Sequence, residues 1–136
     1  MSWSATLGAA TAIAAASAAV AMGDVDAYRW KSRLLVVIAP DAGDPRLAEQ
    51  ARLFTAAPRA NRERDLVLIS ESGATERADA LRRRFGVPAG EFRAILVGKD
   101  GGAKLSSGEP IASARLFEEI DAMPMRRDEM QGGSRR

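Results

Sequence analysis

Leu34-Leu35-Val36-Val37-Ile38-Ala39, closed by Pro40, is the most apolar uncharged run outside the N-terminal segment. It does not alternate apolar with polar residues, so both faces of the strand it forms should be buried, as in a sheet covered by helices on both sides. The turn that follows, Asp41-Ala42-Gly43-Asp44-Pro45, leaves the carboxyl end of that strand, where α/β folds commonly carry their chemistry. Asp44 suits an N-cap and Pro45 the first helical position, where its missing N–H costs nothing. This turn is the first candidate site, although neither cysteine nor histidine stands in it.

Toward the C-terminus, a helix is expected from Pro45 to about Ala56, with Leu47, Ala48, Ala51 and Phe54 on its apolar stripe and Arg46, Glu49, Gln50 and Arg52 off it. Pro58 ends it, and Pro58 to Asp65, carrying Arg59, Arg62 and Arg64, reads as a solvated basic loop. Leu66-Val67-Leu68-Ile69 is a second continuous apolar run, reached through a helical crossover and therefore parallel to the first. Thr75 caps a helix from Glu76 to Phe85 that turns Ala78, Leu81 and Phe85 inward. Gly86 stands where a left-handed cap is needed, ahead of Val87 and Pro88. Arg82-Arg83-Arg84 fall in the last turn of that helix, where cations oppose the dipole.

Phe92 to Val97 is the third strand, and Gly98-Lys99-Asp100-Gly101-Gly102 turns the chain into Ala103-Lys104-Leu105, a β-hairpin. The glycine-rich turn lacks the GxxxxGK[ST] order of a phosphate loop. A last helix, from about Ala112 to Met123, directs Leu116, Phe117, Ile120 and Met123 inward, and Pro124 stops it. Residues 125–136 are expected to form a polar, basic tail with a disordered end.

Toward the N-terminus, Met1 to Met22 carries no charged side chain, and the alanine-rich run from Ala5 to Ala21 ends in the small-x-small pattern Ala19-Val20-Ala21. Residues 1–21 therefore read as a secretory signal peptide, which places the protein in the periplasm or outside the cell. A retained membrane anchor is one alternative, although so short a run is marginal for about 30 Å of hydrocarbon. An ordinary alanine-rich helix is the other. Between this segment and the central strand, Tyr28 and Trp30 share one side if the chain is extended. Flanked by Arg29, Lys31 and Arg33, the two rings could stack single-stranded bases, but capping of the sheet's edge by both is the favoured reading. Tyr28 and Trp30, with Lys99 of the hairpin turn and Lys104 of the strand that returns from it, are the candidate binding residues.

The 136 residues suffice for one domain, placed at 28–124, with a core of its own. Twenty basic residues against 18 acidic ones leave a formal charge of +2, weak support for a nucleic-acid partner. With no cysteine and no histidine, thiol exchange, cysteine or histidine nucleophiles, zinc sites built on those residues and the histidine general base are all excluded.

The resulting order is strand, helix, strand, helix, hairpin, helix, an α/β arrangement with a mixed four-stranded sheet. It resembles the thioredoxin-like core beginning at that fold's own central strand. Two stretches sharpen the likeness: Phe92-Arg93-Ala94-Ile95-Leu96-Val97-Gly98-Lys99-Asp100-Gly101-Gly102-Ala103-Lys104-Leu105 and Ile120-Asp121-Ala122-Met123-Pro124-Met125-Arg126-Arg127-Asp128-Glu129-Met130. They resemble the DUDES family of uncharacterised thioredoxin-like domains, found in short secreted bacterial proteins and some animal extracellular-matrix proteins, over Tyr28 to Met130. The resemblance implies a thioredoxin-like fold and an exported location, and supplies no activity. Laid on the thioredoxin redox motif, Ala42 and Pro45 stand where the thiols would be, and Glu91 replaces the proline before the third strand.

The expectation is thus a non-catalytic exported domain, a protein-interaction or structural module whose partner is a protein or an envelope component. No cofactor, metal or catalytic residue is assigned, and no stable membrane insertion is expected after processing. One alternative is an enzyme using Asp41 and Asp44 as acid and base. The other is a weak nucleic-acid or anion binder using Tyr28, Trp30 and the arginines.

Overall fold

A computed structural model describes residues 25–135; residues 1–21, expected to be a signal peptide, lie outside them. After a short 3₁₀ turn at Val25–Tyr28, strand β1 spans Arg33–Ala39 and is buried at every position. Helices α1 (Pro45–Thr55) and α2 (Pro58–Glu63) lead to β2 (Leu66–Ser72), and α3 (Glu76–Phe85) leads to the hairpin β3 (Arg93–Val97) and β4 (Ala103–Ser107). Helices α4 (Ser113–Asp121) and α5 (Pro124–Arg135) follow. The sheet order is β2-β1-β3-β4, with β1 parallel to β2 and antiparallel to β3, as expected of a mixed sheet. This arrangement is consistent with a thioredoxin-like α/β fold.

The unalternating run in β1 is divided between two cores. Leu35, Val37 and Ala39 face Leu116 and Ile120 of α4, with Leu47 and Phe54 of α1 packed against them. Leu34, Val36 and Ile38 face Leu81 of α3, together with Val25 and Val87. Burying each such side chain contributes about 1.5–3 kcal/mol, which makes β1 the energetic axis of the domain.

Three local expectations are corrected. Pro58 to Asp65 is not a loop: Pro58 opens α2, and Asn61, buried, donates its Nδ2 to the Phe54 carbonyl at 2.7 Å. That bond satisfies one of the free carbonyls at the end of α1, so the proline that stops one helix starts the next. On α1 the inward stripe is rotated. Ala48 is exposed, while Gln50 is fully buried and exchanges bonds with the Ile111 backbone, Nε2 to its carbonyl at 3.0 Å and Oε1 from its N–H at 2.7 Å. Finally, residues 125–135 of the expected tail are helical, in α5, which Pro124 opens, and the helix before it stops at Asp121.

Helix α3 matches its expected bounds. Thr75 accepts from the Ala78 N–H at 3.1 Å, and Gly86 closes the helix at φ +67°. Nothing crowds a side chain at Gly86, so the cost of adding one is conformational alone. Gly86→Val should therefore lower stability by about 1–2 kcal/mol, read as a reduced urea midpoint with an unchanged slope. An unchanged midpoint would contradict the cap.

Candidate functional site

The turn after β1 keeps its polar groups for itself. Asp41 Oδ1 accepts from the Gly43 N–H at 2.9 Å, an Asx turn at the surface. Asp44, nearly buried, accepts from the Arg46 N–H at 2.9 Å as the N-cap of α1, and from Arg46 Nε and Nη2 at 3.0 and 2.8 Å. Those bonds hold the Asp44 carboxyl below its ordinary range, outweighing its burial, so it stays ionised and is a poor proton donor. The Arg46 guanidinium in turn lies over the Phe92 ring, 5.1 Å from its centroid. Ala42 and Gly43 are exposed and bring no reactive group, and Pro45 is the first residue of α1. Among the described residues no cluster of acidic side chains is arranged to hold a metal.

The opposite end of β1 is built differently. Arg33, the first residue of the strand, is 0% exposed. Its Nη1 donates to the Arg64 carbonyl at 2.8 Å and to Glu129 Oε1 at 3.1 Å, and its Nη2 donates to Glu129 Oε2 at 3.0 Å. The register Leu34↔Val97 brings Lys99, just past β3, alongside. Lys99 Nζ bridges Glu129 Oε2 at 2.7 Å and Asp65 Oδ2 at 2.8 Å. Glu129 comes from α5, and its partners explain why that polar segment packs on the domain. A second layer continues the network: Arg64 holds Asp121 through Nε and Nη2 at 3.1 and 2.9 Å and lies 4.3 Å over the Phe117 ring, while Arg126 Nε reaches Asp121 at 3.1 Å.

Above this ion network lies a cleft of about 370 Å³. One wall is Trp30, and the other is Met123, Pro124 and Met125 at the junction of α4 and α5. Gly98, Lys99 and Asp100 of the hairpin turn, Lys104 of β4 and Arg33 of β1 also line it. A side chain at Gly98 would meet Lys104 Cε at 2.7 Å, so the glycine lets the lysine stem lie across the turn. Lys104 Nζ is held by Asp100 Oδ2 at 2.8 Å, and that bond keeps the Asp100 carboxyl below its ordinary range.

Of the four candidate binding residues, Trp30, Lys99 and Lys104 meet in this cleft and Tyr28 does not. Tyr28 ends the 3₁₀ turn and packs against the core beside α3. The approach to β1 is therefore not extended, and the two rings part company. Only Tyr28 behaves as a structural cap. Trp30 is 63% exposed, at φ +68°, with its N–H donating to the Lys99 carbonyl at 2.6 Å. Sequence reasoning missed Arg33, Asp65 and Glu129. Arg33 leaves one trace, a charge directly preceding a strand buried on both faces. Glu129 leaves none beyond its place in the second stretch that carries the family resemblance.

A family model described as Domain of unknown function (DUF4174) matches residues 24–129, which include β1, the cleft and Glu129. A comparison with curated proteins found no match.

Burial pushes the Glu129 carboxyl up, and hydrogen bonds and charge from Arg33 and Lys99 outweigh it, leaving it below its ordinary value of 4.5. Because the folded value is the lower one, Glu129 adds stability that is complete above pH 4.5 and lost as pH falls through the folded value. Glu129→Gln should cost on the order of 2 kcal/mol at neutral pH. That is below the figure for a fully buried pair, since Glu129 remains 27% exposed. In urea titrations across pH, the difference between wild type and variant should shrink on acidification below pH 4.5, and a pH-independent difference would contradict the assignment.

Proposed function

The chain belongs to the DUF4174 family, whose activity is uncharacterised, and we propose that it is a non-catalytic binding module that takes an apolar segment of a partner protein into the cleft between Trp30 and Met123–Met125. One observation carries this reading: the conformation and exposure of Trp30. A bulky residue at positive φ costs on the order of 1–3 kcal/mol, and such strain persists where surrounding structure enforces it, often at functional positions. Folding recovers little of that cost, because the ring is turned to solvent rather than to the core. A bound segment would recover it by covering the indole.

The composition of the walls supports a peptide-like ligand. Exposed tryptophan is typical of the few residues that dominate binding energy, and methionine adapts its thioether to irregular apolar partners. Each lysine of the cleft already faces a carboxylate, Lys99 two and Lys104 one, so the cleft offers little unbalanced charge to an anion or a nucleic acid. The carboxylate-enzyme reading is weakened in the same way, because Asp41 and Asp44 are both engaged in holding their turn. In this proposal the domain is a DUDES-type, thioredoxin-like module without redox chemistry, exported to the periplasm or beyond, where its partner is a protein or an envelope component.

Panning a displayed peptide library against the protein should enrich sequences with an aromatic or aliphatic anchor. The selected peptides should lose at least tenfold in affinity for Trp30→Ala and a comparable amount for Met125→Lys, as read by calorimetry. Both side chains are exposed, so the urea midpoint should not fall in either variant. Enrichment that survives both substitutions would place recognition elsewhere and overturn the proposal.

A further inference from the structure

Helix α5 is docked without a core of its own. None of its described side chains is buried, and its two methionines are turned outward, Met125 at 38% exposure and Met130 at 40%. Helices α3 and α4, by contrast, bury Ala78 and Leu81, and Leu116 and Ile120. What α5 gives the body is largely polar. Glu129 meets Arg33 and Lys99, and Arg126 reaches the Asp121 carboxylate and, through Nη1 at 2.9 Å, the Glu63 carbonyl. Apolar burial supplies most of what holds a helix in place, so a helix without it lies at the low end of the local stabilities in its domain. The sequence of α5 points the same way: twelve residues, with Gly132 and Gly133 adjacent, make little helix when undocked.

Arg33 does not hold α5 down as a stranded charge would. The cleft already reaches Arg33, so water follows as Glu129 leaves, and separating two ions into water costs far less than leaving one unpaired inside. A hinge is also present. Helix α4 ends at Asp121 and α5 begins at Pro124, whose missing N–H keeps the two from fusing into one rod. Between them Ala122 is exposed, while Met123 packs against the core. We propose that α5 is a strap that undocks as a unit while the sheet stays folded, and that, on the binding role proposed above for the cleft, a segment seated there fastens it. In the open state Trp30 and Met123 remain with the body, and Met125 leaves with the strap. A segment that touches both Trp30 and Met125 therefore binds the docked state, and binding and docking favour each other by the same factor.

Amide exchange of the full chain at low urea tests both halves. After correction for intrinsic rates, Asp128, Glu129 and Met130 should exchange at least tenfold faster than Val36 and Val37 of β1, with a shallower dependence on urea, because little surface is exposed when the strap alone opens. If the α5 amides fall on the same urea isotherm as those of β1, the strap is overturned. Glu129→Arg sets like charges against Arg33 and Lys99 and should leave α5 unprotected while Val36 and Val37 stay protected; a folded variant with a protected α5 overturns the strap as well. If that variant does not fold, the wild-type isotherms decide. A peptide from the display library, at a hundredfold excess over its Kd, should slow α5 exchange by about a hundredfold. A peptide that depends on Trp30 yet slows α5 less than tenfold overturns the fastening and leaves the binding role standing. If no Trp30-dependent peptide is selected, the binding role and the fastening fall together, and the urea comparison still decides the strap.

Discussion

A guanidinium sealed at the foot of the central strand sets the terms for the rest of this domain. Arg33 brings a guanidinium charge into the interior, and an unpaired charge there costs several kcal/mol or more. The fold answers with Glu129, brought from 96 residues away to meet the guanidinium with both carboxylate oxygens. Such a pair adds little net stability over a well-packed apolar alternative, yet removing one partner is expensive. Its consequence is geometric. Glu129 must arrive with α5 attached, and α5 cannot arrive without setting Met123, Pro124 and Met125 at the rim of the sheet. Lys99 extends the arrangement by tying the end of β3 to the same carboxylate, which steadies the turn whose Lys99 carbonyl receives the Trp30 N–H. The cleft is thus a by-product of neutralising one buried charge.

The two ends of β1 illustrate how polar groups are disposed of. At the carboxyl end, Asp41, Asp44 and Arg46 satisfy one another and the first turn of α1. Arg82 closes the same end from α3, donating to the Ala39 and Gly73 carbonyls at 3.1 and 2.8 Å. This explains a buried cation in a cluster that helix-dipole arguments alone would leave in solvent. At the amino end Glu129 and the Arg64 carbonyl satisfy the two terminal nitrogens of Arg33 while its Nε has no hydrogen-bond partner, and the network supports a cleft with an exposed indole. The end where α/β folds usually work is here the structurally self-sufficient one.

How far residues alone could reach depended on the range of the interaction. Helix α3 was readable to the residue, because Thr75, the apolar stripe and Gly86 are local devices. The parallel pairing of β1 and β2 followed from a crossover too long for a hairpin. By contrast, α2 was hidden by treating Pro58 only as a stop signal, when proline is also a good first helical residue. Gln50 was placed on the solvent side because amides usually are, whereas the Ile111 backbone needed a partner for both its N–H and its carbonyl. In the cleft, Lys99 and Lys104 were legible as candidate binding residues of the hairpin, but their companion Trp30 had been paired with Tyr28 on the assumption of an extended chain.

By itself, then, the sequence determined that this is a mixed α/β domain organised on one doubly buried strand, without thiol or imidazole chemistry. Those properties follow from hydrophobic period, from local capping and turn residues, and from composition, all of which act within a few residues. Only the tertiary structure decided which polar residues are buried, that the C-terminal segment docks as a helix, and that Trp30 rather than the Asp41–Pro45 turn overlooks the cleft. Each of these rests on a partner distant in sequence: Glu129 for Arg33, Ile111 for Gln50, Lys99 for Trp30. A charge or an amide written in a chain does not state which distant group will satisfy it, because that is settled by the packing of the elements between them.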